Sequence, residues 1–297
     1  MNKNEIKEIL KLHEMWLNGE EGGERAHFCA ADLCGVNLEY ANLRKADLHG
    51  VDLCDANLSN ANLSEAKLCG AFLEHANFYE ANLCSADLRG ANLSEADLRD
   101  ANLCSANLFE ADLQEVNFQN ADLRSANLKY TNLRYANLKH TKLRRANLVY
   151  ADLYGANLFN AEICEAIFTN AELSNTNTRS LKYNEATAFF AMQCPEKGSF
   201  IAYKRCGNCI VELLIPEDAK RSSATTRKCR ASKAKVLSIE NLENGKNMNE
   251  VCSGYDKTFI YKVGETVEVK NFDENRWKEC STGIHFFITR QEAINYR

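Results

Sequence analysis

The amino-acid sequence predicts an all-β solenoid, in which short extended segments coil around a narrow core, with a capping helix before it and an α+β domain after it. Three observations support this prediction. A bulky apolar residue occupies every fifth position from Phe28 to Leu173. A helical pattern followed by glycines precedes this run, and strand-like apolar runs follow it. The predicted boundaries are 1–25 for the helix and its linker, 26–178 for the solenoid and 182–297 for the α+β domain.

The five-residue period fits neither an α-helix nor a flat strand. A helix turns by about 100° per residue, so successive apolar centres would spiral around every side. In a strand the side chains alternate between two faces, so an odd spacing would put every second centre in water. The period is satisfied if each repeat is a short extended segment followed by a two-residue corner. It leaves open whether a coil has three or four sides.

The composition of the repeat supports this geometry. The residue two before each centre is Ala, except for Val36, Val51, Val116, Thr131 and Thr141. Asn or Asp lies between the two in twenty-three of thirty repeats. A narrow interior has room for one large and one small side chain per side, because two large ones would overpack it. The small and bulky residues are therefore predicted to point inward and the Asn or Asp outward.

The repeat also resembles a known family. Residues 86–103 read ADLRGANLSEADLRDANL, which is similar to the A(D/N)LXX signature of the pentapeptide-repeat proteins. This resemblance implies a right-handed quadrilateral β-helix with four sides and twenty residues per coil. Some members of the family are thought to mimic B-form DNA and so inhibit DNA gyrase, and that function becomes an expectation to weigh.

The first residues of the chain predict a helix that caps the solenoid. Residues 4–17 place six apolar or aromatic side chains on one helical face: Ile6, Ile9, Leu10, His13, Trp16 and Leu17. Gly19, Gly22 and Gly23 end the helix. The stretch resembles N-terminal capping helices of bacterial members of the family. His13 is expected to pack beside Trp16 rather than to act in chemistry.

A different composition begins at Leu181. A helical signal covers Asn184–Gln193, a closing helix is predicted for Thr289–Arg297, and strands are predicted at 199–204, 209–215, 234–239, 258–263 and 283–288. Together they predict a separate α+β domain. The runs LLIPEDAKRSSATTRKCRASKAKVLSIE and ECSTGIHFFITRQEAINY resemble an uncharacterised domain appended to pentapeptide repeats in bacterial and phage proteins, which implies an architecture and no activity.

Composition and charge narrow the class of protein. No apolar run of about 20 residues and no secretory leader are present, which predicts a cytoplasmic protein that does not contact membranes. Thirteen cysteines, seven of them on outward solenoid positions, are expected to be reduced. Residues 1–180 carry 17 basic and 26 acidic side chains, whereas residues 181–297 carry 19 and 15.

Two cysteine motifs were weighed as chemical sites. Cys206 and Cys209 could share a metal ion, but Cys229, Cys252, Cys280 and His285 offer no second close pair. A structural hairpin is the favoured interpretation. Cys280 and His285 have a spacing that would suit a nucleophile and its base, but a turn followed by a strand is favoured. No catalytic residue, metal or cofactor is therefore predicted, and the protein is not expected to be an enzyme.

Two basic segments remain as binding candidates. Residues 219–239 lie between Asp218 and Glu240 and contain no acidic side chain. They are interpreted as a loop that either binds phosphates or is a solvated connector. The candidate residues of this loop are Lys220, Arg221, Arg227, Lys228 and Arg230. On the solenoid, residues 61–120 hold ten acids and three bases, whereas residues 121–150 hold seven bases and one acid. The candidates for binding an anion or a partner in the latter are Arg124, Lys129, Arg134, Lys139, Arg144, Arg145, Tyr130 and Tyr150.

Residues twenty apart should stack in columns on a four-sided coil. This register places Tyr130 under Tyr150 and Arg124 under Arg144, and the second pair is a like-charge contact that an anion would relieve. Ordinary filling of exposed β positions with polar residues remains open as the alternative.

Three functions follow from these features. The favoured one is a non-enzymatic interaction scaffold whose rigid surface meets a protein or an anionic partner. The alternatives are a DNA-mimicking inhibitor of DNA gyrase or topoisomerase, and binding of nucleic acid or phosphate through residues 219–239. A monomer is slightly favoured over an oligomer, and the sequence identifies no particular partner.

Overall fold

Residues 1–187, 193–223, 226–274 and 281–296 are described by a computed structural model of the chain. The chain divides into two units, Met1–Ala188 and Phe189–Arg297. None of the described helices is long and apolar enough to cross a membrane.

The first unit begins with helix α1, Lys3–Asn18, which confirms the predicted helix. Asn2 accepts hydrogen bonds from the backbone of Asn4 and Glu5, and the Glu5 side chain accepts from the Asn2 N–H, so the helix starts with a capping box. Gly19 ends it in the left-handed conformation. Gly23 then lies so close to the helix that an added Cβ would be 2.3 Å from the Trp16 nitrogen, so only glycine fits there.

The repeat region is built as the five-residue period requires. Every apolar centre from Phe28 to Leu173 is at most 3% exposed. The residue before each centre forms a parallel bridge with the residue twenty further on, from His27 with Asp47 to Glu162 with Lys182. Twenty residues are four repeats, so equivalent positions of every fourth repeat are hydrogen-bonded. The last bridge lies beyond residue 178, where the sequence predicted that the solenoid ends.

Asn is favoured at the position between the small and the bulky residue because its side chain forms hydrogen bonds both within its own repeat and to other repeats. The Asn57 carbonyl oxygen accepts from the backbone of Ser59 at 3.1 Å, and it also accepts from the Asn77 amide at 3.1 Å. Asn57 in turn donates to Asn37 at 3.2 Å. The same side chain therefore fixes the turn in its own repeat and links it to the repeats above and below.

Each corner uses a left-handed residue. The second corner residue of every repeat, from Ala30 to Ser180, has a φ between 52° and 70°. The next backbone N–H closes the turn, as where Ala61 donates to the Leu58 carbonyl at 3.1 Å. A non-glycine residue in this conformation costs about 1 kcal/mol or more. Its backbone N–H donates to a carbonyl nineteen residues further on, as Asn60 does to Tyr79 at 2.8 Å, and this bond helps to hold the conformation.

The second unit contains nine strands and one helix among its described residues. They are β1 Phe200–Cys206, β2 Cys209–Ile215, β3 Arg221–Ser223, β4 Cys229–Ala231, β5 Lys233–Asn241, β6 Glu250–Cys252, β7 Ile260–Lys262, β8 Thr266–Glu268, β9 Ile284–Phe286 and α2 Arg290–Asn295.

These strands form antiparallel sheets of order β1-β2-β5-β8, β3-β4-β9 and β6-β7. Their core is a cluster of buried apolar residues that includes Val211, Leu213, Val236 and Phe286.

The predicted strands correspond to β1, β2, β5, β7 and β9, and the predicted closing helix corresponds to α2. The interpretation of residues 219–239 as a loop is wrong where β3 and β4 form, whereas the strand predicted at 234–239 lies in β5. Its short strands are too polar to be recognised by hydrophobic periodicity. Of the helical signal at Asn184–Gln193, residues 184–187 contain a turn, and 188–192 lie outside the described residues.

Candidate functional site

Two tyrosines stack on the repeat region as the twenty-residue register predicts. The rings of Tyr130 and Tyr150 are 5.0 Å apart between centroids and tilted by only 6°. Phe109 meets Tyr130 edge-on at 5.7 Å, and Lys129 lies 5.8 Å from the Tyr130 ring. Both tyrosines remain about half exposed, at 48% and 50%. The stack is therefore ordered by its own contacts and still open to a partner.

A second aromatic pair lies on the next side of the coil. The Arg134 guanidinium lies 4.6 Å from the Tyr154 ring and 5.7 Å from the Tyr135 ring, and it is ion-paired with Asp152 at 3.0 Å. The two tyrosine rings meet edge-on at 5.7 Å. An added Cβ on Gly155 would be 2.6 Å from the Tyr135 ring. Glycine at this corner therefore makes room for the ring.

We call these residues, Lys129, Tyr130, Arg134, Tyr135, Tyr150 and Tyr154, the tyrosine surface. Four of them were candidates from the sequence. Tyr135 and Tyr154 were not among those candidates, because the sequence does not reveal that Arg134 contacts both of their rings.

Arg124 and Arg144 are column neighbours as expected, since the Ser125 N–H donates to the Arg144 carbonyl at 2.9 Å. Glu165 raises the pKa of Arg144, and the charge of Arg124 opposes that rise. Each of the two arginines also has a carboxylate within reach. Arg124 folds back onto Asp122 at 2.6 Å, and Arg144 pairs with Glu165 at 2.8 Å. Arg145 pairs with the same Glu165 at 2.6 Å. The Arg124 guanidinium thus has its own carboxylate, whereas Arg144 and Arg145 share one. The Asp-Leu-Arg spacing that pairs Arg124 recurs at Asp87 with Arg89 and at Asp97 with Arg99, so the signal was present in the sequence.

Lys129 and Lys139 differ from these arginines. No ion pair with a carboxylate is found for either of them within the described ranges. Lys129 has only the aromatic contact given above. Lys129 therefore adds positive charge directly beside the stacked tyrosines.

The basic candidates of residues 219–239 are largely used inside the second unit. Arg230 is 1% exposed and donates to the carbonyl oxygens of Asp273 and Thr282 at 3.1 and 3.0 Å. Arg221 donates to the carbonyls of Pro195, Gly198 and Pro216. Arg227 pairs with Glu292, and Lys220 pairs with Glu274. These cations hold loops together, and only Lys228 lines a cavity.

The Cys206 and Cys209 pair closes a hairpin. They are directly opposed at the end of β1 and β2, and both are buried free thiols. Burial is the largest factor that raises the pKa of Cys206 to about 11, so it is not a reactive thiolate at neutral pH. No cluster of three metal ligands that includes this pair occurs in the described part of the chain. Cys280 lies outside the described residues, and His285 lies on β9.

A possible metal cluster was missed by the sequence analysis. The Cys29 thiol lies 3.2 Å from an Asp47 oxygen and 3.7 Å from His27 Nδ1, and His27 Nδ1 lies 3.8 Å from Asp47. A nitrogen, a sulfur and an oxygen suit Zn²⁺. The twenty-residue register, which bridges His27 with Asp47, was the signal that could have found it. The His27 side chain is 69% exposed.

The sequence also did not predict a cavity in the second unit. It has a volume of about 650 Å³, and its lining includes Lys204, Lys228, Tyr261, His285, Phe287 and Tyr296. We call it the C-terminal pocket. Its residues come from β1, β7, β9 and loops far apart in the chain, so no local motif marks it.

Comparison with known families agrees with these two units. The family described as pentapeptide repeats (8 copies) matches in overlapping segments at 24–60, 56–94, 86–124, 121–160 and 146–177. Because these segments span more than half of its length, the chain belongs to the pentapeptide-repeat family. Residues 190–293 match a second family, described as a family of unknown function (DUF5758).

One curated relative is an uncharacterized protein of Acanthamoeba polyphaga mimivirus, 41% identical over 96 residues. The match covers 29% of this chain and 61% of that protein, so this chain spans about three fifths of the relative. That relative is viral, whereas the resemblance in the sequence pointed to bacterial and phage proteins.

The similar solved structures are pentapeptide-repeat proteins. HetL, involved in heterocyst differentiation regulation in Nostoc sp. strain PCC 7120, is 32% identical with a TM-score of 0.32, over 54% of this chain and 77% of HetL. A protein of Cyanothece 51142 is 37% identical with a TM-score of 0.29, over 32% and 61%. QnrB1, a plasmid-mediated fluoroquinolone resistance protein, is 17% identical with a TM-score of 0.43, over 54% and 91%. These scores carry no argument about a shared partner.

Proposed function

We propose that this protein is a non-enzymatic interaction scaffold, in which the repeat region presents the tyrosine surface to a partner protein. The observation that carries the proposal is the stack of Tyr130 on Tyr150, half exposed and flanked by Lys129. Tyrosine and arginine are enriched among the residues that contribute most to binding at the centres of protein interfaces. Tyrosine also buries a large area at the cost of ordering only two rotatable bonds.

The order of the surface supports the proposal. A partner that docks on tyrosines already held by stacking and by Arg134 loses less side-chain entropy than one that must order them. The proposal includes a right-handed coil with four sides. Such a coil would present Tyr130 and Tyr135 on neighbouring corners. The twenty-residue spacing of the bridges is consistent with four repeats per coil.

The chemistry of the surface also indicates the character of the partner. Aromatic faces that already carry cations favour acidic and carbonyl-rich protein surfaces. The gyrase alternative depends instead on the acidic residues 61–120, several of which are neutralised by their own arginines, as in the pairs of Asp87 and Asp97. We therefore rank it second, with supercoiling by gyrase at high protein excess as its test.

The proposal is tested by affinity capture with matched variants. The wild-type chain, Tyr130→Ser with Tyr150→Ser, and Tyr40→Ser would each be immobilised, and the captured proteins compared by quantitative mass spectrometry. Tyr40 is the control because it occupies the same left-handed corner position and is 71% exposed.

We expect a partner that the wild type and the Tyr40→Ser variant capture equally and that the double variant loses by about tenfold or more, since central tyrosines contribute 2 kcal/mol or more at such interfaces. Equal capture by the double variant and the wild type would contradict the tyrosine surface as the binding site.

A further inference from the structure

Lys204 is a lysine on the core side of a strand. It lies in β1 between Ala202 and Cys206, which are at most 2% exposed and belong to the core of the second unit. Side chains two apart in a strand share a face. The Lys204 ammonium is therefore carried toward the interior, where burial lowers its pKa. A lysine at such a position costs stability unless a negative charge meets it.

The contacts of Lys204 provide no such charge. Its Nζ donates to the His285 carbonyl oxygen at 3.2 Å and lies 5.8 Å from the Tyr261 ring. After burial, which lowers the pKa of Lys204, a charge on Cys206 would raise that pKa and the charge of Lys228 lowers it. Because the pKa of Cys206 is itself raised to about 11, its thiol is protonated at neutral pH and supplies no counter-charge. Within the described ranges no carboxylate forms an ion pair with Lys204. The protein thus holds a half-buried ammonium group with which no carboxylate of the described residues is paired.

Lys228, the residue immediately before β4, lines the same cavity. Its Nζ lies 3.3 Å from the Tyr296 hydroxyl and 5.3 Å from the centre of that ring. Two carboxylates, Asp256 and Glu268, also line the C-terminal pocket, and both are exposed. Asp256 accepts hydrogen bonds from the Thr258 backbone and hydroxyl at 2.9 and 2.6 Å, so it is committed to its own turn.

The walls of the C-terminal pocket are aromatic. Phe259 and Tyr261 have ring centroids 5.3 Å apart, and Phe287 and Tyr296 have centroids 5.1 Å apart. No hydrogen-bond partner for the Tyr261 hydroxyl is found among the residues described, although Tyr261 is only 2% exposed. A volume of about 650 Å³ lies within the range of small-molecule sites.

These features together point to one class of ligand. The two ammonium groups favour a ligand with a negative charge. The paired aromatic rings favour a ligand with a planar group that can stack on them, and a tyrosine hydroxyl in the lining can donate a hydrogen bond to the ligand. We propose that the C-terminal pocket binds a small organic anion with an aromatic ring, of the mononucleotide class, with Lys204 and Lys228 facing its phosphate. This site is independent of the tyrosine surface, so each can fail without the other.

The first test is calorimetric titration of the full chain with adenosine monophosphate, with adenosine and inorganic phosphate as separate halves of the probe. We expect saturable binding of adenosine monophosphate and weaker binding of each half. No saturable binding at millimolar concentration would overturn the proposal. Inorganic phosphate that binds as tightly as the nucleotide would overturn the assignment of the aromatic walls.

The second test uses Lys204→Met, which keeps the length of the side chain and removes its charge. We expect the affinity for adenosine monophosphate to fall by about tenfold or more and the melting temperature of the ligand-free variant to rise, because an unpaired buried charge is removed. A merely structural lysine would give a lower melting temperature and unchanged affinity, and that result would overturn the proposal. Lys235→Met, on the exposed side of β5, is the matched control and should change neither quantity.

If Lys204→Met fails to fold, Lys228→Gln supplies the same comparison. It keeps a polar group beside Tyr296, and circular dichroism would verify that the fold is retained. We expect weaker binding of adenosine monophosphate and unchanged binding of adenosine. Unchanged binding of both would overturn the role of the two lysines.

Discussion

The two units of this chain place their cations in opposite environments. In the repeat region the guanidinium groups of Arg124 and Arg144 are about half exposed and pair with carboxylates at the corners. In the second unit Arg230 is almost fully buried, and Lys204 lies on the core side of β1. The difference follows from the shape of each core. A coil filled by one bulky and one small residue per side has no room for a charged chain, whereas packed sheets with long loops can enclose cations and a cavity.

This difference teaches how to interpret a basic residue in each unit. On the repeats, arginines such as Arg124 and Arg144 pair with exposed acids, and such exposed pairs contribute little stability. In the second unit Arg230 is buried and bonds to backbone carbonyls, and no carboxylate of the described residues is paired with Lys204. The number of basic residues in a segment therefore says less about binding than the partners each one has.

The largest expected effect tests the rule that the coil excludes charge. Leu98 is fully buried, and so are Phe78 and Phe118, twenty residues before and after it. Leu98→Asp should lower the free energy of unfolding by several kcal/mol, because the carboxylate has no partner in an apolar column. Thermal unfolding followed by circular dichroism measures the loss.

Ser105→Asp is the control for that experiment, since it adds the same charge at an exposed corner. It should leave the melting temperature nearly unchanged. If both variants melted like the wild type, charge would not be excluded from the coil, and the contrast between the two units would disappear.

A smaller effect concerns the one fully buried histidine at the start of the coil. His13 is stacked on Trp16 at 5.6 Å, and its Nδ1 accepts from the Ala26 backbone at 3.0 Å. Burial is the main cause that lowers the pKa of His13. His13→Leu should cost about 1–3 kcal/mol, because the Ala26 N–H loses its acceptor.

The same group gives the protein a pH dependence of known sign. Because its folded-state pKa lies below the ordinary 6.5, the contribution of neutral His13 is fully present above that pH and is lost as the pH falls through the folded-state value. Urea unfolding of the wild type and of His13→Leu would be measured from neutral pH to about pH 5. The difference between their free energies of unfolding should become smaller as the pH falls. A difference that grows toward low pH would refute the neutral acceptor.

The smallest expected effect concerns two glycines at equivalent corners of the repeats. Gly90 and Gly155 occupy equivalent left-handed corners, with φ of 62° and 70°, but only at Gly155 would a Cβ strike the Tyr135 ring. Gly90→Ala should cost about 1 kcal/mol, and Gly155→Ala should cost more because Tyr135 must move. Chemical denaturation of the two variants under the same conditions compares their free energies of unfolding. Equal losses would mean that Gly155 does not hold the ring in place.

The tyrosine surface could be only partly predicted from the sequence. The stack of Tyr130 on Tyr150 follows from two identical residues twenty apart, because parallel bridges fix that register. The contact of Arg134 with Tyr154 does not follow, since it depends on the direction of a long side chain and on the space above Gly155. The pairing of Arg124 with Asp122 was readable from their spacing and was nonetheless missed.

The sequence by itself determined the repeat region, because a five-residue apolar period buries every centre only if short extended segments are joined by corners, and each repeat needs only its neighbours. The period left the number of repeats per coil open. It also determined α1 through its cap residues and its amphipathic face. The left-handed corners, the burial of Arg230 and the C-terminal pocket were decided only by tertiary structure. The physical reason is distance along the chain: the contacts that position Lys204, Tyr261 and His285 join residues that no local pattern relates.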